Sequence, residues 1–148
     1  MKILIFLKDN VLNLNDFTPI SGAAEKVTEW ISNGAEVEFI TGVHKFMEVK
    51  KIDEALKVLG VSNPVIHAKP ENEKFHRFVA ELEPNVLIEN KQNSGEEKTV
   101  SSKLDPELKI HGIVMESGAE IELLPGDPSE LKHYGKAEEA AGAKDDTY

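Results

Sequence analysis

The chain has no cysteine, which excludes disulfides and thiolate metal sites and suits a reducing compartment. It is also short of positive charge: 17 Lys and Arg stand against 27 Asp and Glu, a formal net charge of −10. Such a surface field repels phosphate backbones and anionic lipid, so neither nucleic acid nor membrane is expected as a partner. No apolar run approaches the roughly 20 residues of a transmembrane helix. The opening MKILIFLKDNV has one early lysine and no small-residue cleavage site after it, so a cytoplasmic protein is expected. The P-loop string Gly-x-x-x-x-Gly-Lys-Ser/Thr is missing, as are Gly-x-Ser-x-Gly and any Ser-His-Asp arrangement. The five histidines, His44, His67, His76, His111 and His133, show no close zinc-ligand spacing.

What the chain does have is the make-up of one soluble domain. Its 148 residues are 40% hydrophobic and 30% charged, and a chain of that length buries roughly 68–70% of the surface its unfolded form exposes. Residues 1–135 are expected to form a single α/β domain. The end KAEEAAGAKDDTY, 136–148, has little to bury and reads as a flexible tail.

Hydrophobic periodicity alternates between strand and helix. An apolar run over Lys2–Leu7 reads as a first strand. SGAAEKVTEWISNG reads as a helix capped by Ser21, with Ala23, Val27, Trp30 and Ile31 on one face and Gly34 as its stop. AEVEFITG is a second strand. VHKFMEVKKIDEALKVLGV is a second helix with Val49, Ile52, Leu56 and Leu59 as its stripe. NPVIHAKP, ENEKFHRFVAELEP and NVLIEN follow as strand, helix and strand. Beyond the polar stretch 90–109, IHGIVMES reads as a fifth strand and DPSELKHYG as a short last helix capped by Asp127 or Ser129. Strands separated by helices of this length call for a mainly parallel sheet between two helical layers, a three-layer α/β/α Rossmann-like sandwich.

In such a sheet, ligands bind beyond the carboxyl ends of the strands. Those ends carry Leu7, Lys8, Asp9 and Asn10; Thr41 and Gly42; and Glu89 and Asn90, with Lys69 and Lys74 in between. Carboxylates on two tips, a hydroxyl on a third and a nearby ammonium are the parts of a magnesium and phosphate site. Each also has a structural reading: Asp9-Asn10 as a turn, Thr41-Gly42 as a strand exit, Lys69 as a loop lysine, Glu89-Asn90 as the start of a loop. His44 lies three residues past Thr41. Trp30 belongs to a helical stripe and reads as core.

Together these residues resemble the haloacid-dehalogenase-like (HAD-like) hydrolases, over Lys2 to Ser117. The clearest passage is TPISGAAEKVTEWISNGAEVEFITG, similar to that family's proline-glycine helix leading into a strand ended by Ser or Thr. ILIFL, PNVLIEN, SGEEK and LDPELKIHGIVMESGAEIELLP look more narrowly like a microbial branch with degenerate catalytic motifs. The resemblance implies strand order 3-2-1-4-5 and, because Val11 to Ile20 is short, no large cap domain. The family's first strand ends Asp-x-Asp-x-Thr/Val, where the first Asp attacks phosphorus and the second is general acid and base. Here LKDNV puts Leu7 at the nucleophile's place and keeps Asp9 and Val11. Thr41 with Gly42 matches the second motif, and Lys69, or less well Lys74, the phosphate-balancing lysine. The closing acid pair reads Glu89-Asn90, so a possible Mg²⁺ would find Asp9, Glu89 and Asn90.

Leucine has no lone pair to attack with, which closes the phospho-aspartate route; loss of a nucleophile can cost on the order of a million-fold in turnover. The first expectation is therefore a non-catalytic binding or interaction module. The alternative is a metal-dependent phosphoester hydrolase, with Asp9 as general acid/base, Asp9 and Glu89 holding the metal, and water as nucleophile. A small phosphorylated molecule and a protein are both open as partners, as is the oligomeric state. Lys69, Thr41 and Gly42 are the expected phosphate contacts.

Overall fold

Strand β1, Lys2–Phe6, has no polar side chain after its first residue, and Ile3, Leu4, Ile5 and Phe6 are all buried. That composition belongs to a central parallel strand covered on both faces. The computed structural model, which describes residues 1–91 and 98–134, places it so. β2 (Glu36–Thr41), β3 (Val65–Ala68), β4 (Val86–Asn90) and β5 (His111–Met115) complete a five-stranded sheet of order β3-β2-β1-β4-β5. Every neighbouring pair is parallel, with Ile5 opposite Phe39 on one side and Ile88 on the other. The tail 136–148 and most of the SGEEK passage lie outside the described residues.

Helices α1 (Ala23–Ser32), α2 (Phe46–Val58) and α3 (Phe75–Leu82) connect the first four strands. Side chains alternate across the sheet, giving two apolar layers. Ile3, Ile5, Leu7, Phe39, Val86 and Ile88 pack with Val27 and Trp30 of α1 and Ile52 and Leu56 of α2. Leu4, Phe6, Ile40 and Leu87 pack with Phe75 and Val79 of α3 and with Val100.

Local details differ from the sequence reading. Ser21 does not cap α1; Gly22, at φ 79°, takes the N-cap position, and no side chain caps the helix. A side chain at Gly22 would collide with Glu122. Ile31 is 40% exposed, because one step beyond Trp30 turns about 100° away from the core. α2 begins at Phe46, and Val49 and Leu59 are only half-buried at the margins of its stripe. The expected last helix is a 3-10 turn, Pro128–His133, with Asp127 accepting the Ser129 amide at 3.0 Å. Between β4 and β5 the described chain forms two 3-10 turns, Ser101–Lys103 and Pro106–Leu108.

After β5 the chain runs back along α1. Lys26 Nζ donates to Leu124 O (2.5 Å), Trp30 Nε1 to Pro125 O (2.8 Å) and Asn33 Nδ2 to Gly126 O (3.0 Å). Donors spaced four and three apart share one helix face, and they meet three successive carbonyls of a segment with no ladder of its own. Ile121, Leu124 and Leu131 enter the core while Leu123 stays exposed, so this segment serves mainly the interior.

Candidate functional site

At the tip of β1 the chain winds around one carbonyl. Leu7 N continues the ladder to Ile40 O at 3.0 Å, and Leu7 O accepts from the amides of Asn10, Val11 and Leu12 at 3.1–3.3 Å. Asp9 N donates to Leu12 O at 2.9 Å, and Asp9 sits at φ 63°, a left-handed conformation that aspartate tolerates better than most residues. The Leu7 side chain points away from solvent, 0% exposed, within the α1 layer. Asp9 is exposed.

Asn10, fully buried, ties two tips together. Its Nδ2 donates to Phe6 O at 3.0 Å, and its Oδ1 accepts from Asn90 Nδ2 at 2.9 Å. An aspartate at 90 would set a carboxylate against that Oδ1, so the amide at 90 is the residue type this contact requires. Nothing in the local sequence marks Asn10 as a partner of Asn90; 80 residues separate them, and only the β1–β4 pairing brings them together.

Glu89 goes elsewhere. Consecutive strand residues face opposite layers, so Asn90 lies on the α1 side with Ile88, and Glu89 on the α3 side with Leu87. Its carboxylate, 0% exposed, accepts from Val100 N (2.9 Å), Ser101 N (2.7 Å) and Ser101 Oγ (2.6 Å). It caps the 3-10 turn that starts there.

A third group gathers around Phe75. Gly42 lies against the Phe75 ring, and Lys69 Nζ stands 5.1 Å from its centroid. Lys69 N donates to Thr41 O at 2.9 Å. Lys69 Nζ donates to the carbonyls of Pro70 (2.9 Å) and Glu73 (2.8 Å), and Thr41 Oγ1 accepts from Val43 N (3.1 Å). A side-chain hydrogen bond with Glu81 holds the Glu73 carboxyl above its ordinary range, burial and the Glu81 charge adding to it, while Lys69 and Arg77 pull the other way. Lys74 is exposed at the start of α3, and His44 is exposed with Nδ1 3.3 Å from Gly42 O.

The expected site is thus divided into three. A cleft of about 450 Å³ is lined by Asp9, Asn90, Ile20 and the turn Glu116–Ala119; Thr41, Lys69 and Glu89 do not line it. Gly118 in that turn is buried against the Asp9 backbone, where a Cβ would overlap the Asp9 carbonyl. Gly118→Ala is therefore expected to push the turn off the β1 tip at a cost of about 3 kcal/mol, measured by urea denaturation.

A magnesium set of Asp9, Glu89 and Asn90 is not assembled by this geometry. Glu89 is turned to the other layer and holds three donors among the described residues, so of the expected set only the Asp9 carboxylate and the Asn90 amide reach the cleft, where Glu116, ion-paired with Lys91 at 2.7 Å, is a second carboxylate. Among the described residues no three His, Asp or Glu side chains come together as metal ligands. At the cleft itself the chain offers the carboxylates of Asp9 and Glu116, the Asn90 amide and the Ser117 hydroxyl, which accepts from Ala119 N at 3.2 Å. No family model, no curated protein and no solved structure matches this chain.

Proposed function

We propose that this chain is a non-catalytic member of the HAD-like group, keeping the fold as a binding or interaction module. The observation that carries the reading is Leu7, wholly buried where the family has its attacking carboxylate. The neighbouring groups support it. Glu89 caps a turn, Asn90 pairs with Asn10, and Lys69 is bound to two backbone carbonyls. In this reading the polar groups at the strand tips hold the edge of the sheet together rather than meeting a phosphate. Catalysis needs groups aimed at the charge that develops in the transition state, and groups already bound to the fold are aimed at the fold.

The hydrolase alternative has one observation in its favour. The Asp9 carboxylate is exposed at the cleft and has no side-chain hydrogen bond among the described residues. A panel of phosphomonoesters and phosphodiesters with Mg²⁺ or Mn²⁺ separates the two. The expected result is no turnover above background, with Asp9→Asn indistinguishable from the parent. Saturable hydrolysis that disappears in Asp9→Asn would overturn the non-catalytic reading.

A further inference from the structure

Acids outnumber bases 27 to 17 in this chain, yet one stretch at the carboxyl edge of the sheet runs the other way. His44–Lys51, HKFMEVKK, leads from the tip of β2 into α2 and carries three lysines and one glutamate, all exposed. None of Lys45, Lys50 and Lys51 is in an ion pair among the described residues. Among them Phe46 and Met47 are 77% and 61% exposed, while α2 buries Ile52 and Leu56 on its other side. Residues four apart on a helix stand one turn over another. Lys50 therefore stands beside Phe46 and Lys51 beside Met47, two apolar groups each next to an ammonium.

Single exposed apolar residues are common and need no explanation. Two adjacent ones, each beside a lysine with no ion pair among the described residues, form a surface of mixed chemistry. We propose that this face of α2 docks an acidic segment of a partner protein, whose apolar side chains cover Phe46 and Met47 while its carboxylates meet Lys45, Lys50 and Lys51. Charge selects this occupant: Lys45, Lys50 and Lys51 outnumber Glu48 within the stretch and Glu54 one turn beyond Lys50, so a basic segment would meet a net positive face, and the same face of a second copy would set net positive charge against net positive charge. The proposal names the partner class of the interaction module and rests on that reading.

The test titrates the ¹⁵N-labelled full chain with a short synthetic peptide of Asp, Glu, Leu and Phe, and with a control in which Lys replaces each acid. The expected result is saturable amide shifts over residues 44–51 with the acidic peptide alone, weakening as salt rises. Lys50→Glu with Lys51→Glu should lower affinity about tenfold, and Phe46→Ser with Met47→Ser comparably. All four side chains are exposed, so circular dichroism should show both variants folded. Equal binding of the two peptides, indifference to the charge reversal, shifts confined to other residues, or no shift at millimolar peptide would overturn the proposal. So would sedimentation showing that the parent self-associates through this face. Phosphoester turnover is measured on the same sample: turnover with peptide binding intact refutes only the non-catalytic reading, and lost binding without turnover refutes only the docking site.

Discussion

Leu7→Asp, which would supply the attacking carboxylate of the hydrolases the chain resembles, is expected to weaken the fold rather than create a phosphatase. The position is fully enclosed by the α1 layer, among side chains such as Val11, Leu12 and Ile5. A carboxylate there loses its hydration and leaves a hole where the leucine packed, a combined loss of about 4 kcal/mol or more at neutral pH. For a domain of this size that corresponds to a fall in Tm of about 10 °C or more. The sign with pH follows from burial. The folded-state pKa of the new carboxyl would lie above its unfolded value of about 3.9, so the ionisation part of the penalty is absent below that value, grows as pH rises toward the folded one and levels off above it, while the packing loss persists at every pH. The gap between melts of the variant and the parent should narrow toward pH 4, without closing, and widen toward pH 7. Leu7→Met, which conserves volume, should cost about 1 kcal/mol. A Leu7→Asp protein as stable as the parent that hydrolyses phosphomonoesters would show that the side chain at 7 reaches the cleft.

Glu89→Gln carries the second large effect. The change conserves shape but replaces one acceptor oxygen by an NH₂ group facing the amides of Val100 and Ser101 and the Ser101 hydroxyl. Hydrogen bonds to a charged acceptor contribute about 1.5–3 kcal/mol each, and a buried donor left unpaired costs about 1–3 kcal/mol. A loss of about 3 kcal/mol in urea denaturation is expected, with faster hydrogen exchange at Val100 and Ser101. A metal ligand would behave differently: Glu89→Gln would leave stability nearly unchanged and abolish a Mg²⁺ response of the Asp9 and Asn90 amides. The two measurements assign Glu89 to the turn or to an ion.

How far the site was legible in the sequence differs from residue to residue. Leu7 at the end of an apolar run announced its burial, because a leucine in that place has no polar alternative to weigh. Glu89 and Asn90 read as a pair, since they are adjacent and both polar. The pairing failed because adjacent strand residues face opposite sides of a sheet, and the partners that claim them, Ser101 and Asn10, come from other parts of the chain. Lys69 read as a free ammonium before Pro70, and it is the turn into α3 that brings the carbonyls of Pro70 and Glu73 to it. Helix boundaries failed for local reasons: Gly22 in the left-handed region displaced Ser21 as N-cap.

The sequence alone determined the alternation of strands and helices, because a period of two or 3.6 is written in neighbouring residues, and it put a leucine, with no ionisable group, at position 7. The sheet order, implied by the family resemblance, is the order seen in the structure. Only the tertiary structure decided which strand-tip groups are available. It turned Glu89 toward Ser101, paired Asn90 with Asn10, seated Gly118 on the Asp9 carbonyl and left Asp9 at the cleft. The physical reason is that hydrogen-bond partners at a parallel sheet's edge are contributed by segments distant in sequence, and buried polar groups take whichever partner the packing delivers.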